Sequence, residues 1–281
     1  MRLWVAACAV VLLRAGSLSA QTEGQQQVLD RATAWVERFI DAYSNVVAEE
    51  TYVQETTSPR RKRTLRSDYL FVRFPGSDVW HAFRDTLEVD GTLVPETGKA
   101  ERMAKLFVEP PDSALRRAEE IARASARYNL VDIGTLNEPL RVVAFLQAEY
   151  RERFRFTFAG IDRDLGPAVR TVRFEEFKRP TILRRGSGAG TDLPSHGLVW
   201  IDEPTGRILK TELRPGRFTP ASTIITTTFR FDDRLGIDVP AEMRDMYQDR
   251  TGEFRGVATY GRFRRFNVQT DADVNTPPPP R

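Results

Sequence analysis

The chain holds one cysteine, Cys8, and two histidines, His81 and His196, among 281 residues. That count excludes a disulfide scaffold and a thiolate metal site. No H-x-x-x-H, H-E-x-x-H or EF-hand spacing gathers other ligands, so no metal is expected. Lysine is scarce as well, 5 against 37 arginines. After residue 20 no run is long and apolar enough to cross a bilayer as a helix. There is no G-x-S-x-G elbow. The stretch Gly186-Ser187-Gly188-Ala189-Gly190 lacks the Lys-Ser/Thr pair of a phosphate loop. No pattern names a reaction, and no cofactor is expected.

What is present is material for a core. The chain is 41% hydrophobic, 10% aromatic and 29% charged, which excludes a disordered or collagen-like chain. Residues 1–20, MRLWVAACAVVLLRAGSLSA, carry Arg2, an apolar run from Leu3 to Leu13, and small residues ending at Ala20. That order reads as a secretory signal cleaved after Ala20, with the mature chain periplasmic or secreted. Val5-Ala6-Ala7-Cys8 has the look of a lipobox. Only about five apolar residues precede Cys8, fewer than an h-region needs, so lipoprotein anchoring there is not expected. Removing Arg2 and Arg14 with this segment lowers the net charge from +3 to +1, which argues against nucleic-acid binding.

Residues 22–47 repeat apolar side chains at helical spacing: Val28, Ala32, Trp35, Val36, Phe39, Ile40, Tyr43, Val46 and Val47. The period then falls to two, predicting strands over 50–57, 64–74 and 79–89, with a hairpin turn at Asp90-Gly91. Helical spacing returns over 99–107, 112–130 and 138–147, with Asn137 placed to cap the last of these. Strands resume over 153–159, 168–178, 181–185, 197–203, 206–214, 222–232 and 253–268. The expected class is α+β: one curved antiparallel sheet of about ten or eleven strands, a half-barrel. The N-terminal helix and the helical insert would cover its concave face. Residues 21–270 form a single domain in this reading, and 271–281, with Pro277 to Pro280, a disordered proline-rich tail.

Candidate site residues follow from strand faces. Aromatic and apolar positions that would line a cavity are Phe83, Leu87, Phe154, Phe156, Phe158, Phe229 and Phe231, with Trp35 and Phe39 from the helix. His81 and Asp85 share the apolar face of their strand and would point inward, as an acid/base pair or as satisfied core groups. They lie about 13 Å apart along the strand, too far to touch. Arg60, Arg61, Arg63, Arg264 and Arg265 form basic clusters suited to a charged hairpin tip, a protected edge, or an anionic membrane surface. Adjacent acids such as Glu49-Glu50 and Glu175-Glu176 read as solvated surface.

Four stretches resemble a family of secreted bacterial proteins without an assigned activity. They are Val47-Ala48-Glu49-Glu50 with Tyr52; Trp80 through Phe83-Arg84-Asp85 to Asp90-Gly91; Val199-Trp200-Ile201-Asp202 through Thr205-Gly206-Arg207 to Leu213; and Ala258 through Phe266. The element order is similar to the LolA-like superfamily of lipoprotein carriers, RseB-type stress sensors and LppX-type lipid binders. That resemblance implies a helix-covered half-barrel with an apolar cavity for acyl chains. The expectation is a non-enzymatic extracytoplasmic protein that holds a lipid or lipidated ligand. The alternatives are an envelope module or stress sensor that recognises a protein partner, and an enzyme built on His81 and Asp85.

Overall fold

A computed structural model describes residues 5–44, 46–73, 80–95, 105–106, 110–131, 137–185, 190–216, 222–248 and 252–265, with helical side chains from Gly24 onward. Most of 99–107 and all of the 271–281 tail lie outside these residues. The helices are α1 (Val5–Tyr43), α2 (Pro111–Ala126), α3 (Arg141–Ala144) and α4 (Ala148–Arg151). The strands are β1 (Val46–Thr57), β2 (Arg60–Arg73), β3 (Trp80–Val89), β4 (Thr92–Leu93), β5 (Phe154–Ile161), β6 (Val169–Glu176), β7 (Arg184–Arg185), β8 (Thr191–Asp192), β9 (Ser195–Asp202), β10 (Ile208–Pro215), β11 (Ser222–Asp232), β12 (Ile237–Gln248) and β13 (Glu253–Arg265). Eleven of them are antiparallel members of large ladders; β7 and β8 pair only with each other. The chain divides into two compact units, residues 1–42 with 139–231, and residues 43–138 with 232–281.

In the first unit the strand order is β11-β10-β9-β6-β5. The helical stripe read from the sequence is the buried face of α1: Val28, Leu29, Ala32, Trp35, Val36, Phe39 and Ile40 are all enclosed. Each large apolar side chain so buried contributes about 1.5–3 kcal/mol. Trp35 stacks on Phe39 with ring centres 5.0 Å apart, and Phe39 meets Phe229 of β11 edge-on at 6.2 Å. The helix is fastened to the β9–β10 hairpin, where Arg31 Nε donates to the Glu203 carbonyl at 2.8 Å. A second aromatic group gathers Phe145, Phe154 and Phe174.

The second unit has the order β4-β3-β2-β1-β13-β12. Its centre is the long β1–β2 hairpin, paired without interruption from Val46↔Phe71 to Thr57↔Arg60. The expected turn at Asp90-Gly91 closes β3 on β4. There the Asp90 carboxylate accepts from the Thr64 backbone N–H at 2.7 Å. Pro111 in the first turn of α2, Asp112 beside it and Arg123 near the end suit the helix dipole.

Several boundaries differ from the sequence reading. The first helix stops at Tyr43 rather than near 47, because Val46 and Val47 are taken into β1 between β2 and β13. The stretch 138–147 holds only the short α3, whose N-cap Leu140 lacks a side-chain cap. Asn137 is therefore no cap; its side chain is used elsewhere, as described below. The strand β12 was not anticipated. Pro240, Glu242 and Arg244 hide its alternation, and its buried row includes an acid, Asp245.

Candidate functional site

The two faces of the β1–β3 ladder differ in character. Val47 pairs with Leu70, and Leu70 with Phe83, so these three share one face. With Val72 they form a buried cluster that includes Leu106 and Ala114, Ala118 and Ile121 of α2. Ala114, Ala118 and Ala122 let the helix lie close to this apolar floor, and Ile121 and Leu115 are the larger side chains it packs there. Along α2 runs a cavity of about 230 Å³, lined by Asp85, Thr86, Val94, Pro95, Arg117, Glu120, Ile121, Ala124, Ser125, Arg127 and Tyr128.

Strand alternation turns Glu50, Tyr52, Tyr69 and Arg84 to the opposite face. Glu50 is fully buried, which corrects its reading as solvated surface. Its Oε2 accepts from Arg84 Nε at 2.6 Å. The Arg84 side chain, 16% exposed, is placed between the rings of Tyr52 and Tyr69, 5.7 and 5.8 Å from their centres. Its Nη2 donates to the Asn137 carbonyl at 2.6 Å. Asn137 Nδ2 donates to the Tyr52 hydroxyl at 3.1 Å, and that hydroxyl donates to Asp245 Oδ2 at 2.8 Å. Tyr69 donates to Glu138. A smaller cavity of about 40 Å³ adjoins Arg84, Tyr69, Asn137 and Glu138.

The electrostatics follow from burial. Burial pushes the hydroxyls of Tyr52, Tyr69 and Tyr260 well above the usual tyrosine value, so they remain neutral donors. Burial opposes the charge on Arg84, but Glu50 and the nearby tyrosines outweigh it and keep the guanidinium protonated. Burial also pushes the Asp245 carboxyl up to about 6, against the hydrogen bond from Tyr52 and the charge of Arg84. Tyr247 faces the same carboxyl, and Glu50 adds to the upward shift.

That shift has a sign. The unfolded chain releases this proton near 3.8, the folded chain near 6, so the fold binds more protons in between. The stability from neutral Asp245 is whole below the lower value and lost as pH rises through the upper one. From pH 4 to pH 7 the wild type is expected to lose about 2–3 kcal/mol relative to Asp245→Asn. Urea midpoints of both proteins across that range check this; parallel curves would contradict it.

The sequence-named residues are distributed over both units. In the first, Trp35, Phe39, Phe154 and Phe229 are buried, Phe156 and Phe158 are half-buried, and Phe231 is 49% exposed. Trp35, Phe39 and Phe229 come together, and Phe154 approaches Phe156 at 6.2 Å. In the second, Phe83 lies in the apolar floor and Leu87 is half-buried at a bulge of β3. Asp85 is buried and borders the larger cavity. His81 is half-buried; burial lowers its pKa while Glu119 of α2 raises it.

The arginine clusters are partly committed to ion pairs and hydrogen bonds. Arg63 donates to the Tyr128 carbonyl at 2.7 Å and Arg264 to Asp68 at 2.8 Å, while Arg60, Arg61 and Arg265 are exposed. In the first unit Glu176 is buried, again against the surface reading. Its two oxygens accept from the backbone N–H groups of Ile182 at 2.7 Å and Ser195 at 3.1 Å. Sequence reasoning missed the Glu50–Arg84–Asp245 cluster. The available signal was Glu50, Tyr52, Gln54 and Thr56 at period two, a polar row on a face that proves buried. Among the described residues no group of three or more His, Cys, Asp or Glu is arranged to hold a metal ion.

No family model matches the chain, and no curated protein matches it. Solved structures do. The chain is similar to a DUF1329 family protein from Desulfovibrio piger, with 11% identity and a TM-score of 0.39, over 88% of this chain and 95% of that one. It is similar to a LolA superfamily protein from Nitrosomonas europaea at 14% identity and a TM-score of 0.31, over 86% and 93%. A third is an outer membrane lipoprotein-sorting protein domain from Vibrio parahaemolyticus, at 11% identity and a TM-score of 0.38, over 82% and 92%.

Proposed function

We propose that this chain is a non-enzymatic extracytoplasmic binding protein that holds a lipid or the acyl chains of a lipidated partner. The observation that carries the reading is α2. One amphipathic helix lies through alanines on an apolar floor of Val47, Leu70, Val72 and Phe83, with a cavity of about 230 Å³ along its side. Lifting the helix withdraws Ile121, Leu115 and three alanines and exposes an apolar surface. An acyl chain that replaces it gains about 0.8 kcal/mol for each CH₂ buried. The secretory segment at 1–20 supports a periplasmic or secreted site of action. In the first unit, α1 carrying Trp35 and Phe39 over Phe229 is a second helix-covered apolar surface. Phe154, Phe156 and Phe158 on β5 belong to the other aromatic group of that unit, Phe231 follows Phe229 on β11, and exposed Arg60, Arg61 and Arg265 suit an anionic membrane surface.

The test uses the protein secreted from its own signal. Native mass spectrometry is expected to find lipid bound to it, and fluorescent palmitate is expected to bind saturably. Ala124 lines the cavity on the exposed side of α2. Ala124→Trp fills that space and is expected to reduce palmitate binding at least about tenfold, the loss of roughly two buried CH₂ groups. Its circular dichroism should match wild type. No co-purifying lipid and no saturable uptake would remove the lipid reading. A stable protein partner captured without lipid would favour the alternative, to which exposed Ile161 and Leu165 at the β5–β6 hairpin lend themselves.

A further inference from the structure

Residues following the middle of α2 reach the polar face of the β1–β3 ladder and are held there by side chains. The Thr86 backbone N–H donates to Ser125 Oγ at 3.1 Å. Gln54 Nε2 donates to Asn129 Oδ1 at 2.6 Å, and its Oε1 accepts from the Leu130 N–H at 2.8 Å. Arg63 holds the Tyr128 carbonyl, and Arg84 holds that of Asn137. Asn137 and Glu138 border the smaller cavity together with Arg84 and with Ser125, Ala126 and Asn129, so the packing of these anchoring residues depends on where Arg84 and Tyr52 spend their hydrogen bonds.

Two buried carboxyls, Glu50 and Asp245, act on Arg84 from the same face. We propose that Asp245 is a proton-operated catch for residues 125–130 and 137–138. With its carboxyl neutral, Arg84 serves Glu50 and the Asn137 carbonyl, and the anchor is closed. Ionised, Asp245 is a second negative charge in a buried site; it draws Arg84 from Asn137 and admits water along Tyr52. The strain falls on the anchor because its neighbours cannot move. Around the site β12, β13 and β1 are fixed by backbone ladders that run unbroken from Glu49 to Thr56 and from Glu242 to Gln248, including Asp245↔Gly256 and Gly256↔Gln54. Residues 128–130 and 137–138 belong to no strand. A charge that needs hydration opens the least-supported element beside it.

The groups facing Asp245 are Tyr52 and Glu50 from β1, Arg84 from β3 and Tyr247 from its own strand; β13 presents uncharged Gly256. His81 titrates on the other face of β3, near Glu119 of α2, and is a separate contributor. As a means of regulating access beneath α2, the catch rests on the binding function proposed above. Its test needs no ligand, so either idea can fail alone.

Amide hydrogen exchange of the full secreted protein, followed by mass spectrometry from pH 5.0 to 7.5 and corrected for the intrinsic rate, reads the catch. Peptides covering 125–131 are expected to lose protection by a factor on the order of ten with a midpoint near pH 6, while β1 and β13 peptides stay protected. Asp245→Asn is expected to keep the peptide protected at both ends of the range. Tyr52→Phe is expected to leave it unprotected at both, and His81→Gln to keep the wild-type change. Equal protection across the range in wild type would overturn the proposal, a reading that needs no variant to fold. A change that persists undiminished in Asp245→Asn would do so as well.

Discussion

Replacing Arg84 by methionine is expected to cost about 3–5 kcal/mol of stability, read as a fall in the urea midpoint at pH 7. The size comes from what is left behind. Glu50 is 0% exposed and loses the guanidinium that meets it at 2.6 Å. The Asn137 carbonyl loses its donor as well, and the rings of Tyr52 and Tyr69 lose the cation between them. The intact pair need not be a large net gain, because burying both charges is itself expensive. That asymmetry supplies the control. Arg84→Met with Glu50→Leu removes both charges, and is expected to recover more than half of the loss. If the single variant does not fold, the double variant still reads the same balance. A single-variant loss under about 1 kcal/mol would mean that water already reaches Glu50.

The cluster also explains what sequence reading could and could not reach. Apolar periodicity is a local signal, and wherever the burial pattern is local it succeeded. The α1 stripe from Val28 to Ile40 is the buried face. The long strands β3, β9, β10, β11 and β13 lie close to their expected ranges, β1 and β2 each begin four residues earlier than expected, and the Asp90-Gly91 turn is where the dipeptide put it. What was missed is buried polarity. Glu50 and Glu176 look like surface acids because their partners are distant in the chain: Arg84 is 34 residues from Glu50, and Ser195 is 19 from Glu176. Asn137 read as a helix cap because its true partner, Tyr52, is 85 residues away. β12 escaped for the same reason. An inward Asp245 breaks the apolar alternation that marks a strand, and the tyrosine that receives it, Tyr52, lies 193 residues earlier.

Thus the polar face was illegible while the apolar face was not. Phe83 was placed on an apolar strand face by period two alone, whereas Val47 read as part of the first helix until its pairing with Leu70 put it on that face. Glu50, Tyr52 and Arg84 needed a pairing register across three strands and a loop. The residues that end α2 and follow it are tied to the same ladder by Gln54 and Arg63, side chains as distant in sequence from their partners as those of the cluster.

Gly206→Ala is expected to produce the largest effect in the first unit, a loss of about 2–4 kcal/mol, for two reasons that act together. Gly206 has φ of 75°, a left-handed conformation that costs an alanine about 1 kcal/mol. A Cβ there would lie 2.3 Å from the backbone carbon and oxygen of Arg31, atoms of α1 that cannot rotate aside. Forcing that contact adds about 1–3 kcal/mol. The hairpin around Gly206 holds its shape by its own bonds, Gly206 N–H to the Asp202 carbonyl at 2.8 Å and Asp202 N–H to the Arg207 carbonyl at 2.9 Å. The helix is therefore the part that moves, and with it the Arg31 to Glu203 hydrogen bond. Hydrogen exchange is expected to show α1 peptides over 28–40 losing protection while β9 and β10 keep theirs. Because Trp35 and Phe39 would leave Phe229, the tryptophan emission of the variant should move to longer wavelength. If α1 stayed protected and the midpoint shifted by less than about 1 kcal/mol, the tight approach of helix and hairpin would not be a feature of the protein in solution.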